Sequence, residues 1–256
     1  MALVTRGSVD DFAAEPAMER LPVARQRRAS ALNVGDFRDF RTLEATTELL
    51  QPLPLRFTVA PETRGLALKS LKLKKGFDGL LGGIFNRAKK VYFVAWAWDY
   101  SGQPVNTYPG KGISADRCLI RIKAGDIREF IGAGTVLLPA RTVNSGISVR
   151  LQLWQSKADV RQFGKTMAQI AKTIQDSDLN RLLTAAALVT GGTTATIALA
   201  KDAGTELAGL IGQILQTTTD DFVDYFDGSY PASEPWAPPD DRSTGFASEI
   251  VLRKFS

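Results

Sequence analysis

The chain has 256 residues and a net charge of +5, from 32 lysines and arginines against 27 aspartates and glutamates. It contains no histidine and a single cysteine, Cys118, which excludes Ser-His-Asp and Cys-His catalysis, histidine metal ligation, intrachain disulfides and zinc–thiolate sites. A hydrophobic content of 44% and a charged content of 23% are those of an ordinary globular chain with a substantial core, and the basic surplus is a weak pointer to anionic partners that a merely solvated surface accounts for at least as well.

Residues 1–60 read as an N-terminal arm, partly extended. MALVTRGSVDDFAAE has no basic stretch followed by an apolar run, so no secretory signal is expected and the expected location is cytoplasmic or peripheral to a membrane. Arg25, Arg27 and Arg28 precede Ser30, a pattern for phosphate contact or modification, but a solvated, mobile tail is the favoured reading. The prolines on either side of Leu53 suit an extended peptide.

The β-region begins at Leu66. In LALKSLKLKK the apolar positions change face at Ser70, which predicts a bulge. FDGLLGGIFNRAKK then places Phe77, Leu80, Leu81, Ile84 and Phe85 beside Arg87, Lys89 and Lys90, more apolar surface than a connector requires. In VYFVAWAWDY both faces are apolar, Tyr92, Val94, Trp96, Trp98 and Tyr100 on one and Val91, Phe93, Ala95 and Ala97 on the other, which predicts a central strand covered on both sides. CLIRIK and GTVLLPARTV read as further strands, with Cys118 a buried, inert thiol at the start of the first.

ISVRLQLW alternates Ile147, Val149, Leu151 and Leu153 with Ser148, Arg150, Gln152 and Trp154, the period of a half-buried antiparallel strand. From Val160 a helical period takes over. Val160, Phe163, Met167, Ile170 and Ile174 form a narrow seam suited to a partner helix, Ser177 is the expected N-cap of a second helix, and a third sets Leu207, Leu210, Ile211, Ile214 and Leu215 apart from Gly204, Ala208 and Gly212. DDFVDYF returns to strand, PASEPWAPPDDRSTG reads as a Pro-rich loop, and SEIVLRKF is a terminal strand.

Three motifs bear on chemistry. Phe163-Gly164-Lys165-Thr166 opens a helix after a strand, but Asp159 stands where a phosphate-binding loop needs its first glycine, so nucleotide binding is not expected. The uncharged run Leu182–Ala200 has the length of a membrane span, yet five threonines and Gly191-Gly192 dilute it, which favours a soluble buried hairpin. The acidic series Asp220, Asp221, Asp224, Asp227, Glu234, Asp240 and Asp241 lacks the spacing of a calcium loop and reads as turn residues or as partners for the basic surface.

SVRLQLWQSKADVRQFG resembles the strand-and-loop signature of C2 domains, and LKLKKGFDGLLGGIFNRAKKVYFVAW is similar to the first C2 strand, the first membrane-facing loop and the second strand. The likeness covers about residues 66–165. It implies a β-sandwich whose loops bind phospholipids, often through Ca²⁺. Where the calcium-binding members place aspartates after the aromatic, this chain has Gln155 and Lys157, leaving Asp78 and Asp159 as the candidate Ca²⁺ ligands. The resemblance therefore implies a calcium-poor variant.

The expected fold is an antiparallel, C2-like β-sandwich (61–158 and 218–256) with an α-helical insertion (159–217) before the last strands, α+β overall. The expected function is a non-enzymatic binding or assembly module. Its contact surface is Phe77, Leu80, Leu81, Ile84, Phe85, Arg87, Lys89 and Lys90, meeting an anionic membrane surface or protein partners. No cofactor is expected beyond Ca²⁺, nucleic acid is not an expected partner, and self-association stays open. The alternatives are a membrane-permeabilising protein that inserts the 182–215 hairpin, and a structural subunit of a larger particle.

Overall fold

A computed structural model describes residues 2–5, 62–74, 88–110, 113–143, 145–157, 160–186, 194–218, 220–236 and 240–256. Eleven strands among these residues form two antiparallel sheets. In the first, β1 (Ala2–Thr5), β9 (Asp221–Pro231), β8 (Gly146–Gln155), β3 (Lys89–Trp98) and β4 (Asn106–Tyr108) lie side by side, with β5 (Ile120–Ile122) also on β3. In the second the order is β10 (Asp241–Thr244), β11 (Ser248–Phe255), β2 (Glu62–Leu73) and β6 (Ile127–Glu129), with β7 (Thr135–Val143) also on β2. β1 belongs to the expected N-terminal arm; positions 1 and 6–60 of that arm lie outside the described residues.

The sheets press their apolar faces together. Leu66, Leu68, Leu71 and Leu73 of β2 meet Val91, Phe93 and Ala95 of β3 and Ile147, Val149, Leu151 and Leu153 of β8 in one core. The face change expected at Ser70 is a bulge at Lys69: Val251 pairs with Ser70 and Leu252 with Leu68, so both leucine pairs point inward. Charged residues tie the layers at their margins. The buried Asp99, just past β3, pairs with Arg141 of β7: Nη2 donates to Oδ1 at 2.9 Å, and Nε lies 2.7 Å from Oδ2.

Helices cover the other face of the first sheet. A short α1 (Ala115–Cys118) precedes β5, and three longer helices, α2 (Val160–Gln175), α3 (Asp178–Ala186) and α4 (Thr194–Gln216), run between β8 and β9. The chain leaves the sheet at Gln155 and re-enters at Asp221, the residue paired with it across the strands, so the helices are an excursion from one antiparallel pair. Phe163, Met167, Ile170 and Ile174 of α2 and Ala200, Leu207, Ile211 and Leu215 of α4 form a second core with Tyr92, Trp96, Trp98 and Trp154. The seam of α2 thus meets the sheet as well as a helix, with Tyr92 edge-on to Phe163 at 4.7 Å. Ser177 caps α3 by accepting the Asn180 amide at 3.2 Å.

This third layer overturns the half-buried reading of β8. All ten residues of that strand are buried, including Ser148, Arg150 and Gln152. The polar residues stay because each has a partner: Ser148 bonds the Tyr100 hydroxyl at 2.7 Å, Arg150 pairs with Asp227, and Gln152 donates to the Ala208 carbonyl at 2.8 Å. Two smaller expectations are also corrected. Cys118 closes α1 rather than opening a strand, and DRST of the Pro-rich loop is strand β10, paired with β11.

Candidate functional site

One end of the sandwich collects the turns between strands. Main-chain bonds join the end of β2 to two of them. Gly125 of the β5–β6 turn donates to the Leu73 carbonyl at 2.8 Å, and Lys74 donates to the Ala247 carbonyl of the β10–β11 turn at 2.8 Å. β3 starts here too, with Lys89 opposite Ile122 and Lys90 opposite Arg121. Ser156, leaving β8, donates to the Lys90 carbonyl at 2.8 Å.

Of the residues expected to form the contact surface, Lys89 and Lys90 stand at this end. Phe77, Leu80, Leu81, Ile84, Phe85 and Arg87 lie outside the described residues, as do the candidate calcium ligands Asp78 and Asp159. Lys74 and Ala88, the described residues flanking positions 75–87, both belong to this end.

The structure adds residues that the sequence reading passed over. Phe246, at the tip of the β10–β11 turn, is 56% exposed, and Ile127, at the start of β6, is 59% exposed. They flank the last residues of β2, since Ile127 pairs with Lys72 while Ala247 bonds Lys74. The same end carries the exposed cations Lys123, in the β5–β6 turn, and Lys90 and Arg121, paired on the helix-side face of the first sheet, together with the half-buried Lys74 and the exposed acid Asp126. Lys157 is paired with Asp221 at 2.8 Å, and Lys72 with Glu249 at 3.1 Å. Phe246 carried a readable signal, an aromatic among the turn-forming residues of STGFASE.

The Phe246 turn is held from the first sheet. A bulge in β9 at Val223 turns both Val223 and Asp224 to the inter-sheet side opposite Leu153. Asp224 there accepts the Phe246 amide at 2.8 Å, the Ala247 amide at 2.9 Å and the Ser248 hydroxyl at 2.6 Å. Burial pushes this carboxyl above the ordinary aspartate range, and the hydroxyl and amide donors pull it back. Gly245 is needed beside it, because a Cβ would fall 2.5 Å from Asp224 Oδ2. Lys74 Nζ donates to the Gly245 carbonyl, bracing the turn from β2.

The acidic series is spent on structure in the same way. Asp220 accepts the Tyr92 hydroxyl at 2.8 Å and the Lys157 amide at 2.9 Å, Asp221 pairs with Lys157, and Asp227 with Arg150. Asp240 takes Lys69 at 2.9 Å. Among the described residues no three metal-ligating side chains gather.

The second gathering of polar groups, between the first sheet and α4, combines the buried Arg150 with the half-buried Lys201 and Asp202. Arg150 lies over the Trp98 ring at 5.5 Å. On α4 burial lowers the Lys201 pKa, with Arg150 adding to the effect, and raises that of Asp202. The small residues of α4 serve this packing: Gly204 rests on Trp98, and Ala208 is buried over Gln152. Among the described residues no helix is long and apolar enough to cross a membrane.

No known protein family and no curated protein matches this chain. The reading of its function rests on the geometry.

Proposed function

We propose that the chain is a non-enzymatic binding module, a calcium-poor variant of the C2-like sandwich, that sets its turn end on an anionic lipid surface. The observation that carries this reading is the gathering at one end of Phe246 and Ile127, both more than half exposed and on either side of β2, with Lys74 and Lys123 in the adjoining turns and Lys90 and Arg121 at the start of the first sheet's β3–β5 pair. Burying a phenylalanine side chain in an apolar medium contributes about 2 kcal/mol. Each cation near an anionic leaflet adds about 1 kcal/mol. Neither term alone holds a protein on a membrane, but the two together at one end do, as with two-signal anchoring generally.

Independence from Ca²⁺ is part of the proposal. Both oxygens of Asp220 and of Asp224 already accept hydrogen bonds from the chain, so a metal there would have to displace protein donors.

Co-sedimentation with vesicles tests the reading, using phosphatidylcholine alone and with 30% phosphatidylserine, each with Ca²⁺ and with a chelator. The expected result is pelleting with the anionic vesicles only, unchanged by the chelator and reduced about tenfold in affinity by Phe246→Ala. Equal pelleting with both compositions overturns the lipid reading and turns attention to a protein partner for the same end.

A further inference from the structure

We infer that Asp224 is the positioning residue of the contact end, holding the Phe246 turn in place from the opposite sheet. The inference rests on the proposed function and deepens it. A large apolar side chain held out at a turn tip is useful to a binding surface only if the turn does not fold back, and ordering it beforehand removes that cost from binding. The β10–β11 hairpin supplies one main-chain bond of its own across this turn, from the Gly245 amide to the Ser248 carbonyl at 2.8 Å. Its next two amides, those of Phe246 and Ala247, find their acceptor in the Asp224 carboxylate.

Several features single this carboxylate out from an ordinary turn cap. It comes from β9, in the other sheet, so the tie crosses the sandwich rather than closing the hairpin on itself. The β9 bulge places it on the inter-sheet side, and the absence of a side chain at Gly245 leaves room for it. Lys74 supplies a second brace through the Gly245 carbonyl, and its main-chain amide meets Ala247. Phe246 itself remains outside this lattice, its backbone fixed and its ring more than half exposed. Asp224 therefore acts through Phe246 and not by touching a ligand.

Hydrogen exchange on the full chain without vesicles tests the anchor directly. In Asp224→Asn, which keeps one carbonyl acceptor but loses the second, the Phe246 and Ala247 amides should exchange at least tenfold faster while those of β3 and β8 keep their protection. Gly245→Ala, whose methyl group displaces the same carboxylate, should speed the same two amides and serves should the first variant fail to fold. Vesicle binding supplies the second arm. Asp224→Asn should weaken binding to anionic vesicles as much as Phe246→Ala, and the double variant should be no weaker than either alone. Unchanged exchange at both amides in a folded variant, or fully additive losses in the double variant, overturns the inference. Faster exchange with vesicle binding indifferent to Phe246→Ala leaves the anchor standing and removes the membrane reading instead.

Discussion

Gly204 of α4 lies against the Trp98 ring so closely that a Cβ there would sit 2.7 Å from Cη2. Two effects oppose each other at this position. Replacing a mid-helix glycine by alanine favours the helix by about 1 kcal/mol, whereas forcing a methyl group into a filled contact costs about 1–3 kcal/mol. Trp98 is fully buried, and three of its ring atoms would lie within 3.5 Å of the new methyl group, so packing wins. Gly204→Ala is expected to destabilise the protein by about 1 kcal/mol in chemical denaturation, and a gain in stability would show that α4 does not seat on the sheet.

Arg64 makes a sharper case. Its guanidinium, 1% exposed, donates to the carbonyls of Pro231, Ala232 and Glu234 at 2.8–3.0 Å, pairs with Glu62, and lies 5.0 Å from the Trp236 ring. A lysine cannot reproduce that fork of donors. Arg64→Lys should cost about 2–3 kcal/mol, since the buried Ala232 carbonyl is left without its donor and the Pro231 and Glu234 carbonyls lose theirs. The denaturation midpoint reads the loss. Arg64→Met should be at least as costly.

The tyrosines set an alkaline limit. All five, Tyr92, Tyr100, Tyr108, Tyr225 and Tyr230, have pKa values raised above 10, burial being the largest cause in each, and Tyr108 is pushed up to about 12. Asp220 beside Tyr92 and Asp241 beside Tyr230 add to the effect. A raised folded pKa means that the native state holds the proton more tightly than the unfolded chain. The corresponding stability is complete below pH 10 and drains away as the pH climbs through the folded values. Titration followed at 295 nm should show a clearly smaller phenolate fraction at pH 10.5 in the native protein than in denaturant, where more than half is ionised. Native tyrosines titrating near 10 would contradict the packing of both cores.

Charge at the turn end should appear in salt dependence. Lys90→Glu and Lys123→Glu each reverse an exposed cation, and each should weaken binding to anionic vesicles by tenfold or more, about 1 kcal/mol per unit charge. Raising the salt from 0.05 to 0.5 M should weaken the parent protein and shrink the difference between parent and variants. Binding indifferent to salt would leave the cations without a role.

Local periodicity was enough to determine much of this fold from the residues alone. The two-faced β3, the inward leucines of β2 with their bulge, the alternation in β8, the apolar seam of α2 and the Ser177 cap all rest on neighbours within a few positions. Such patterns are written wherever a side chain's burial follows from the geometry of its own element. What covers an element from a distance is not written there. Ser148, Arg150 and Gln152 look like a solvent face until α4 closes over them; that helix brings Ala208 to Gln152, while Asp227 reaches Arg150 across the β8–β9 pair and Tyr100 meets Ser148 from just past the end of β3. The acidic series likewise shows no purpose in sequence order, because Asp224 meets a turn more than twenty positions away in the other sheet. Phe246 and Ile127 came to the same end as Lys90 through strand pairing alone, so tertiary structure decided which surface the chain presents.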